Sequence, residues 1–456
     1  MAGDLKDLHE PGTTRPERFK WFYAVPPGRA YFVVFLLSVA IRLLALALGA
    51  HEPLVSDSTD YREMAALLAG GSHFLPYWPP GLPLYLAIFL SAGWGDAVLR
   101  ASTLLWWVLF CWSLYRLAWD LQVKRIAWVV LLVFAIAPAE VHFSIEPMTQ
   151  MPGAALLLLA LSAAVRCAQG AGWAEYLLLG GSLGYLSLVR PSVLPLLIVL
   201  PAMVFLRRKD LVKPLIAVVI GGTMIFGWML KVHQVGGIWA INTANTINLY
   251  YGNNPWTPMY RTWFFGSHAK FGSDEILNFP EYAETMDRAL ALPMSERSDA
   301  YKKLAVDYVV HHPVIFFART LNRIRCFWGF DTFTAVNLRG VPDWKHSLFP
   351  VVLAMDAICY LFVTGFAVFW IACAPAAFWR RWDVWLLAGT VVLYGLPYWI
   401  SMSHPTYHFP VVAPLALLGA IAYGTVGSRK AHWRGWVGVV ALGLIQVEWI
   451  YYLTQG

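Results

Sequence analysis

The chain has 456 residues, 59% of them hydrophobic and only 13% charged, with a formal net charge of +7. A soluble domain carries roughly a quarter charged residues, so a water-soluble protein is excluded. The basic excess forms no run of nucleic-acid-tail length. It points instead to the cytoplasmic loops of a membrane protein, with no nucleic acid as partner. Cys111, Cys167, Cys326, Cys359 and Cys373 form no CxxC or Cys/His cluster, so neither a disulfide framework nor a zinc site is expected.

In chain order, about eleven apolar stretches read as membrane spans: 30–50, 97–119, 126–143, 147–167, 174–189, 192–206, 214–232, 348–374, 383–401, 409–427 and 435–453. Residues 351–373, for example, hold a single acid, Asp356. The stretches are continuous rather than alternating, which predicts helices and excludes a barrel. The first is as long as a full span and reads as a retained helix rather than a signal peptide. The expected fold class is an all-α polytopic membrane protein.

Sorting the connections by charge gives its orientation. Lys20 and Arg29, Lys124 and Arg125, Arg166, Arg207 to Lys209, Arg380 and Arg381, and Arg429, Lys430 and Arg434 fall on one side. The short connections on the other side, 144–146, 190–191 and 402–408, hold only Arg190. The positive-inside rule then places the N-terminus in the cytoplasm and the C-terminus outside. Two long segments lie outside. Residues 51–96 carry two helix candidates around YWPPGLP, and 233–347 form a polar insert with amphipathic stretches such as 298–310. The chain divides into 1–232, 233–347 and 348–456. Its 23 tryptophans suit an interfacial belt, with a few outer ones able to stack on sugar rings.

The sharpest polar signal is SDSTDYREMAALLAGG, directly after the first span. Asp57 and Asp60 fit a capping pair, Asp57 as N-cap and Asp60 as N3 acid. They equally fit a carboxylate held at the outer surface as a general base, and capping and chemistry can coexist. Glu146 lies at the mouth between two spans, either as a second functional acid or as an exposed loop glutamate. Arg190, Lys231, His233, His404 and His408 fall at predicted outer ends, and Arg42 lies within the first span. Against the positive-inside trend these cations suit a lipid phosphate, or snorkelling to headgroups.

In order along the chain stand Asp57-Ser-Thr-Asp-Tyr61, Pro79-Pro80-Gly81-Leu-Pro83, Glu146-Pro147, Leu188-Val-Arg190-Pro191, a run from Asn242 through Asn248 and Tyr250 to Asn253, Ala305 to Pro313, and Tyr407-His-Phe-Pro410. This series resembles the GT-C glycosyltransferases, the class that includes protein O-mannosyltransferases and the aminoarabinose transferase of lipid A. It covers most of the chain. One departure is Thr406, where the family's late motif usually has arginine; His404 or His408 would supply that charge.

The resemblance implies a GT-C fold with outer-face juxtamembrane helices in a bacterial inner membrane, its active site periplasmic. It implies an inverting glycosyltransferase. The donor would be a sugar on a polyprenyl phosphate; the acceptor would be a hydroxyl of a lipid-linked glycan, lipid or polysaccharide such as lipopolysaccharide. Asp57 is the implied base and Asp60 its alternative. Glu146 would orient the acceptor or, with Asp57, hold a divalent cation such as Mg or Mn. Arg190, Lys231, His404 and His408 would meet the donor phosphate, and Tyr61, Asn248, Tyr250 and Tyr407 the substrates. Membrane lipids are the expected surroundings and a monomer the expected state. A flippase or transporter, or an O-antigen ligase or polymerase, are the competing classes. The sequence shows neither the repeats nor the interrupted spans usual in transporters.

Overall fold

The computed structural model describes residues 26–49, 52–259, 262, 279–339, 344–426 and 432–455. Lys20, Arg429 and Lys430 of the basic set lie outside the described residues. Among those described, every regular element is helical. In hydrocarbon an apolar run has no backbone partner other than its own turns. All eleven apolar stretches are helical: α1 (Pro27–Gly49), α4 (Asp96–Asp120), α5 (Lys124–Ile136) with α6 (Pro138–Ile145), α7 (Gln150–Gln169), α8 (Trp173–Val189), α9 (Leu194–Arg208), α10 (Val212–Gly236), α16 (Phe349–Cys373), α17 (Trp382–Ile400), α18 (Phe409–Val426) and α19 (Trp433–Gln455). Among the described residues, eight helices, some lengthened by a flanking 3₁₀ turn, are long and apolar enough to cross a membrane, or nine if the α5–α6 pair is one span. Helix α8, with 17 residues, falls short of that length. The chain is a multi-pass membrane protein.

The stretch 126–143, expected as one span, is instead broken, with a 76° bend between α5 and α6. Pro138 has no N–H to give and forces the residue before it out of the helical region, and Ala137 is extended at ψ 124°. The break strands polar groups inside the bundle, and two buried side chains take them up. Arg42 on α1 donates to the carbonyls of Phe134 (3.0 Å), Ala135 (3.4 Å) and Glu140 (3.4 Å). Asp356 on α16 accepts from Ala139 N at 2.8 Å. Arg42, counted in the sequence with the outer cations, therefore closes a helix end.

Helices α7 and α18 are buried along most of their lengths and form the centre of the bundle. Helices α8 and α10 touch backbone to backbone. A Cβ on Gly180 would fall 2.4 Å from the Ala217 oxygen, and one on Gly184 would fall 2.7 Å from Gly221 Cα. Small residues at such crossings are how helices pack closely in lipid.

Between α1 and α4, helices α2 (Asp57–Ala69) and α3 (Gly81–Ser91) share a small core of Tyr61, Ala65, Leu82, Leu86 and Leu99. The Pro-Pro-Gly turn before α3 is seated on the end of α8. Tyr185 donates to the Gly81 carbonyl at 2.8 Å, and a Cβ on Gly81 would lie 2.6 Å from Val189 N. In the long insert, α11 (Ala244–Gly252), α12 (Pro280–Ala291) and α13 (Met294–His311) build a second core around Tyr250, Tyr251, Tyr282 and Tyr301. Helix α14 (Pro313–Phe327) leaves that core and packs on α17, and α15 (Phe333–Arg339) follows it. The link between them is held from the bundle. Tyr360 and Gln446 both donate to the Trp328 carbonyl at 2.9 Å, and Gln446 accepts from Phe330 N at 2.7 Å.

Candidate active site

Helix α2 starts differently from the capping pattern. Its N-cap is Ser56, in the left-handed region at φ 52°, and Asp57 is the first helical residue. That conformation is costly for a residue with a Cβ and persists only where its surroundings enforce it. Asp60 does not complete a capping box. It is exposed and its Oδ2 accepts from Trp78 Nε1 at 3.1 Å.

The enforcement comes from a buried network that sequence spacing did not reveal. Arg100, near the start of α4, donates through Nε to Glu146 Oε2 at 2.9 Å, both side chains almost fully buried. The same guanidinium donates to the carbonyls of Gly49 (3.0 Å), Glu52 (2.5 Å) and Pro53 (2.8 Å). The other Glu146 oxygen stands 2.7 Å from Ser58 Oγ and accepts from Val55 N at 3.3 Å. Arg100 thus holds the chain leading into α2, and Glu146 holds its first turn. Both Glu146 oxygens are engaged in positioning Asp57's helix, and the residue is not the exposed loop glutamate that the sequence also allowed.

Arg190 caps the end of α8 and is buried. Its Nε donates to the Thr149 carbonyl at 3.3 Å, and its Nη1 to the hydroxyls of Tyr394 (3.2 Å) and Tyr398 (3.3 Å). No carboxylate lies within ion-pair distance among the described residues. Gly153 makes room for it, since a Cβ there would lie 3.1 Å from Arg190 Nε. Tyr61 and Tyr407 each stand within electrostatic reach of both Asp57 and Arg190. Burial, and then the nearby Asp57 charge, hold the Tyr61 hydroxyl well above its ordinary pKa, and Tyr61 hydrogen-bonds the Thr149 side chain. Tyr407 stacks on Tyr398 with ring centroids 4.6 Å apart. Asp57, Tyr61, Arg190 and Tyr407 are therefore brought together, with Thr149, Tyr394 and Tyr398 as partners that sequence reasoning missed.

The other expected site residues behave differently. Burial pushes the pKa of His404 down to about 4, with His408 adding to the shift, so its ring is neutral at neutral pH. Its Nδ1 accepts from Thr406 N at 3.2 Å, which leaves any ring proton on Nε2. His408 Nδ1 pairs with the Phe327 carbonyl at 2.7 Å, and its ring packs 4.7 Å from Tyr360. At neutral pH His404 therefore does not carry the charge that the missing arginine would have supplied. Lys231 lies over Trp228 at 5.5 Å, with no hydrogen bond or ion pair to the Arg190 cluster. Asn248 is half-buried on α11. Tyr250 belongs to the insert core, stacked on Tyr282, its hydroxyl buried without a partner among the described residues. Within the described residues no group of three or more His, Cys, Asp or Glu is placed to hold a metal ion.

No protein-family model and no curated protein matches the chain. Among solved structures it is similar to the Archaeoglobus fulgidus oligosaccharyltransferase AglB in complex with an inhibitory peptide and a dolichol-phosphate, at TM-score 0.44 and 14% identity over 94% of this chain and 55% of that one. The apo form of the Archaeoglobus fulgidus oligosaccharyltransferase gives TM-score 0.42 and 13% identity over the same shares. The chain spans about half the length of these proteins. Likeness this distant leaves fold family and activity to be argued from the chain's own residues.

Proposed function

We propose that the protein is an inverting GT-C-type glycosyltransferase that moves a sugar from a polyprenyl monophosphate to an acceptor hydroxyl on the outer side of a cell membrane. The observation that carries this reading is that Asp57 and the buried cation Arg190, which has no ion pair among the described residues, share Tyr61 and Tyr407 as neighbours. Asp57 takes the proton of the acceptor hydroxyl as that oxygen attacks the anomeric carbon. The bond to the phosphate oxygen breaks on the opposite face, and the electron pair leaves with the polyprenyl phosphate. A donor phosphodiester carries one negative charge, and its leaving monoester carries up to two. Arg190 meets that increase, so it stabilises the transition state more than the bound donor. A lipid diphosphate would bring one charge more than this site matches. The order of sequence motifs around these residues supports the same class.

A divalent cation on Asp57 would draw its remaining ligands from substrate phosphate and water. Glu146 acts with Arg100 to fix the start of α2, and Asp57 rather than Asp60 is the base, because Asp60 is exposed and held by Trp78.

The test is turnover of a synthetic polyprenyl-phosphate sugar by the purified protein in nanodiscs. Asp57→Asn keeps the helix start but cannot take a proton at working pH, and loses roughly 10²–10⁴-fold in rate while remaining folded. Asp60→Asn stays near wild type. Near-normal turnover by a folded Asp57→Asn protein refutes the base assignment, and failure of every monophosphate donor favours the diphosphate-using ligase class. A reporter active only outside the cytoplasm, fused after residue 300, is active if the site faces outward.

A further inference from the structure

Helix α14 is built inside out. Its exposed large apolar side chains are Val314 (80% exposed), Phe317 (63%) and Leu321 (51%), which form one stripe at helical spacing. The side turned toward the protein carries Arg319 and Arg323, both buried. Arg319 donates to the carbonyls of Asn254 (3.0 Å) and Thr257, and Arg323 to those of Ile400 (3.0 Å) and Gly252. A helix on a water-facing domain shows the reverse arrangement. Its neighbour α13 has a mixed outer face: Tyr301 and Ala305 are buried, while Lys302, Lys303 and Asp307 are exposed together with Leu304, Val306 and, at the end next to α14, Val310. The stripe also continues an existing lipid-facing surface. Helix α14 packs on the membrane helix α17, whose outward residues Val392, Leu396 and Ile400 are exposed. The bond from Arg323 to the Ile400 carbonyl sets α14 beside the end of that row.

We infer that α14 lies in the membrane leaflet on the side of the insert, with acyl chains covering Val314, Phe317 and Leu321. It is an interfacial helix whose Arg319 and Arg323 point into the protein while its apolar stripe points into lipid, with Arg325 at the end of that stripe. The insert is then tethered to the bilayer through its own helix as well as through the spans on either side. This inference rests on the membrane reading of α17 and not on the proposed chemistry.

Spin labels at positions 314, 317 and 321, introduced singly as cysteines into a Cys373→Ser protein, report the surroundings directly, since Cys111, Cys167, Cys326 and Cys359 are buried. In nanodiscs the three labels should collide with oxygen as labels at 392 and 396 do. They should exclude a water-soluble nickel chelate several-fold better than labels at 302 and 307. Chelate access equal to that at 302 and 307 overturns the proposal, and so does exclusion of both probes, which would mean that protein covers the stripe. The wild-type protein provides a check free of substitutions. A phospholipid with a diazirine in its acyl chain should leave photoadducts within 313–321 and none within 298–307. Adducts on α17 without any on α14 would refute lipid contact.

Discussion

Arg42 and Arg190 are both buried arginines in a membrane bundle, neither with a carboxylate at ion-pair distance among the described residues, yet the groups around them differ. Arg42 lies 3.3 Å over the Trp107 ring and donates to main-chain carbonyls left open by the α5–α6 break. Those acceptors belong to the fold and are present in every copy of the chain. Arg190 has one carbonyl and two phenol oxygens, all at 3.2–3.3 Å, and Asp57 shares its tyrosine neighbours. Phenols are weak acceptors for a full cation, so Arg190 keeps capacity for an anion. Burial of a charge inside a membrane protein is therefore an incomplete sign of function; the nature of its partners separates the two cases.

The widest separation is expected in rate. Arg190→Ala should lower turnover by roughly 10²–10³-fold, with a smaller change in apparent donor affinity. Arg190→Lys should recover only part of it, because an ammonium cannot reproduce the guanidinium fork. Equal steady-state rates for the three proteins would place Arg190 with Arg42 as a purely structural group. Arg42→Met should act on the fold instead, destabilising by about 2–4 kcal/mol as the helix-end carbonyls lose their donor. A thermal melt in nanodiscs reads this loss, and unchanged melting with reduced turnover would reverse the assignment.

A third arginine sharpens the contrast through its acid. Glu146→Gln leaves Arg100 without a charged partner and loosens the first turn of α2, so kcat should fall about tenfold, roughly 1.4 kcal/mol, with KM little changed. A raised KM with kcat intact would mean that Glu146 binds substrate directly. A last effect, on pH dependence rather than rate, concerns His404, whose pKa burial depresses so that the ring is uncharged at neutral pH. The unfolded chain binds this proton at about pH 6.5 and the folded chain only near pH 4, so the ring's contribution to stability is complete above pH 6.5 and is lost between those values. His404→Gln should flatten that loss by at most about 3 kcal/mol, a ceiling because part of the ring stays exposed. Parallel melting curves for the two proteins from pH 7.5 to 4.5 would show that the histidine is protonated in the folded state.

The helices were readable in the sequence because lipid turns hydrophobic length into secondary structure; ten of the eleven stretches and the outer helices at 57–69 and 81–91 appear close to where the pattern placed them, and 126–143 is split in two. The break at Pro138 was printed in the sequence, but its stitching was not, since Arg42 and Asp356 are far from it along the chain. Of the residues in the proposed site, position alone singled out Asp57 and Arg190. It overcounted cations, because whether a histidine is charged depends on its burial and not on the loop it occupies. It also missed Arg100, whose partner Glu146 is 46 residues away, and it missed Tyr394 and Tyr398, which read as ordinary span aromatics.

The contact of Gly180 and Gly184 with Ala217 and Gly221 has a mechanical consequence. Where two backbones meet with no side chain between them, there is no rotamer to change and no gap to slide into. Helices α8 and α10 therefore move as a single rigid body, and Arg190, at the end of α8, is carried on it.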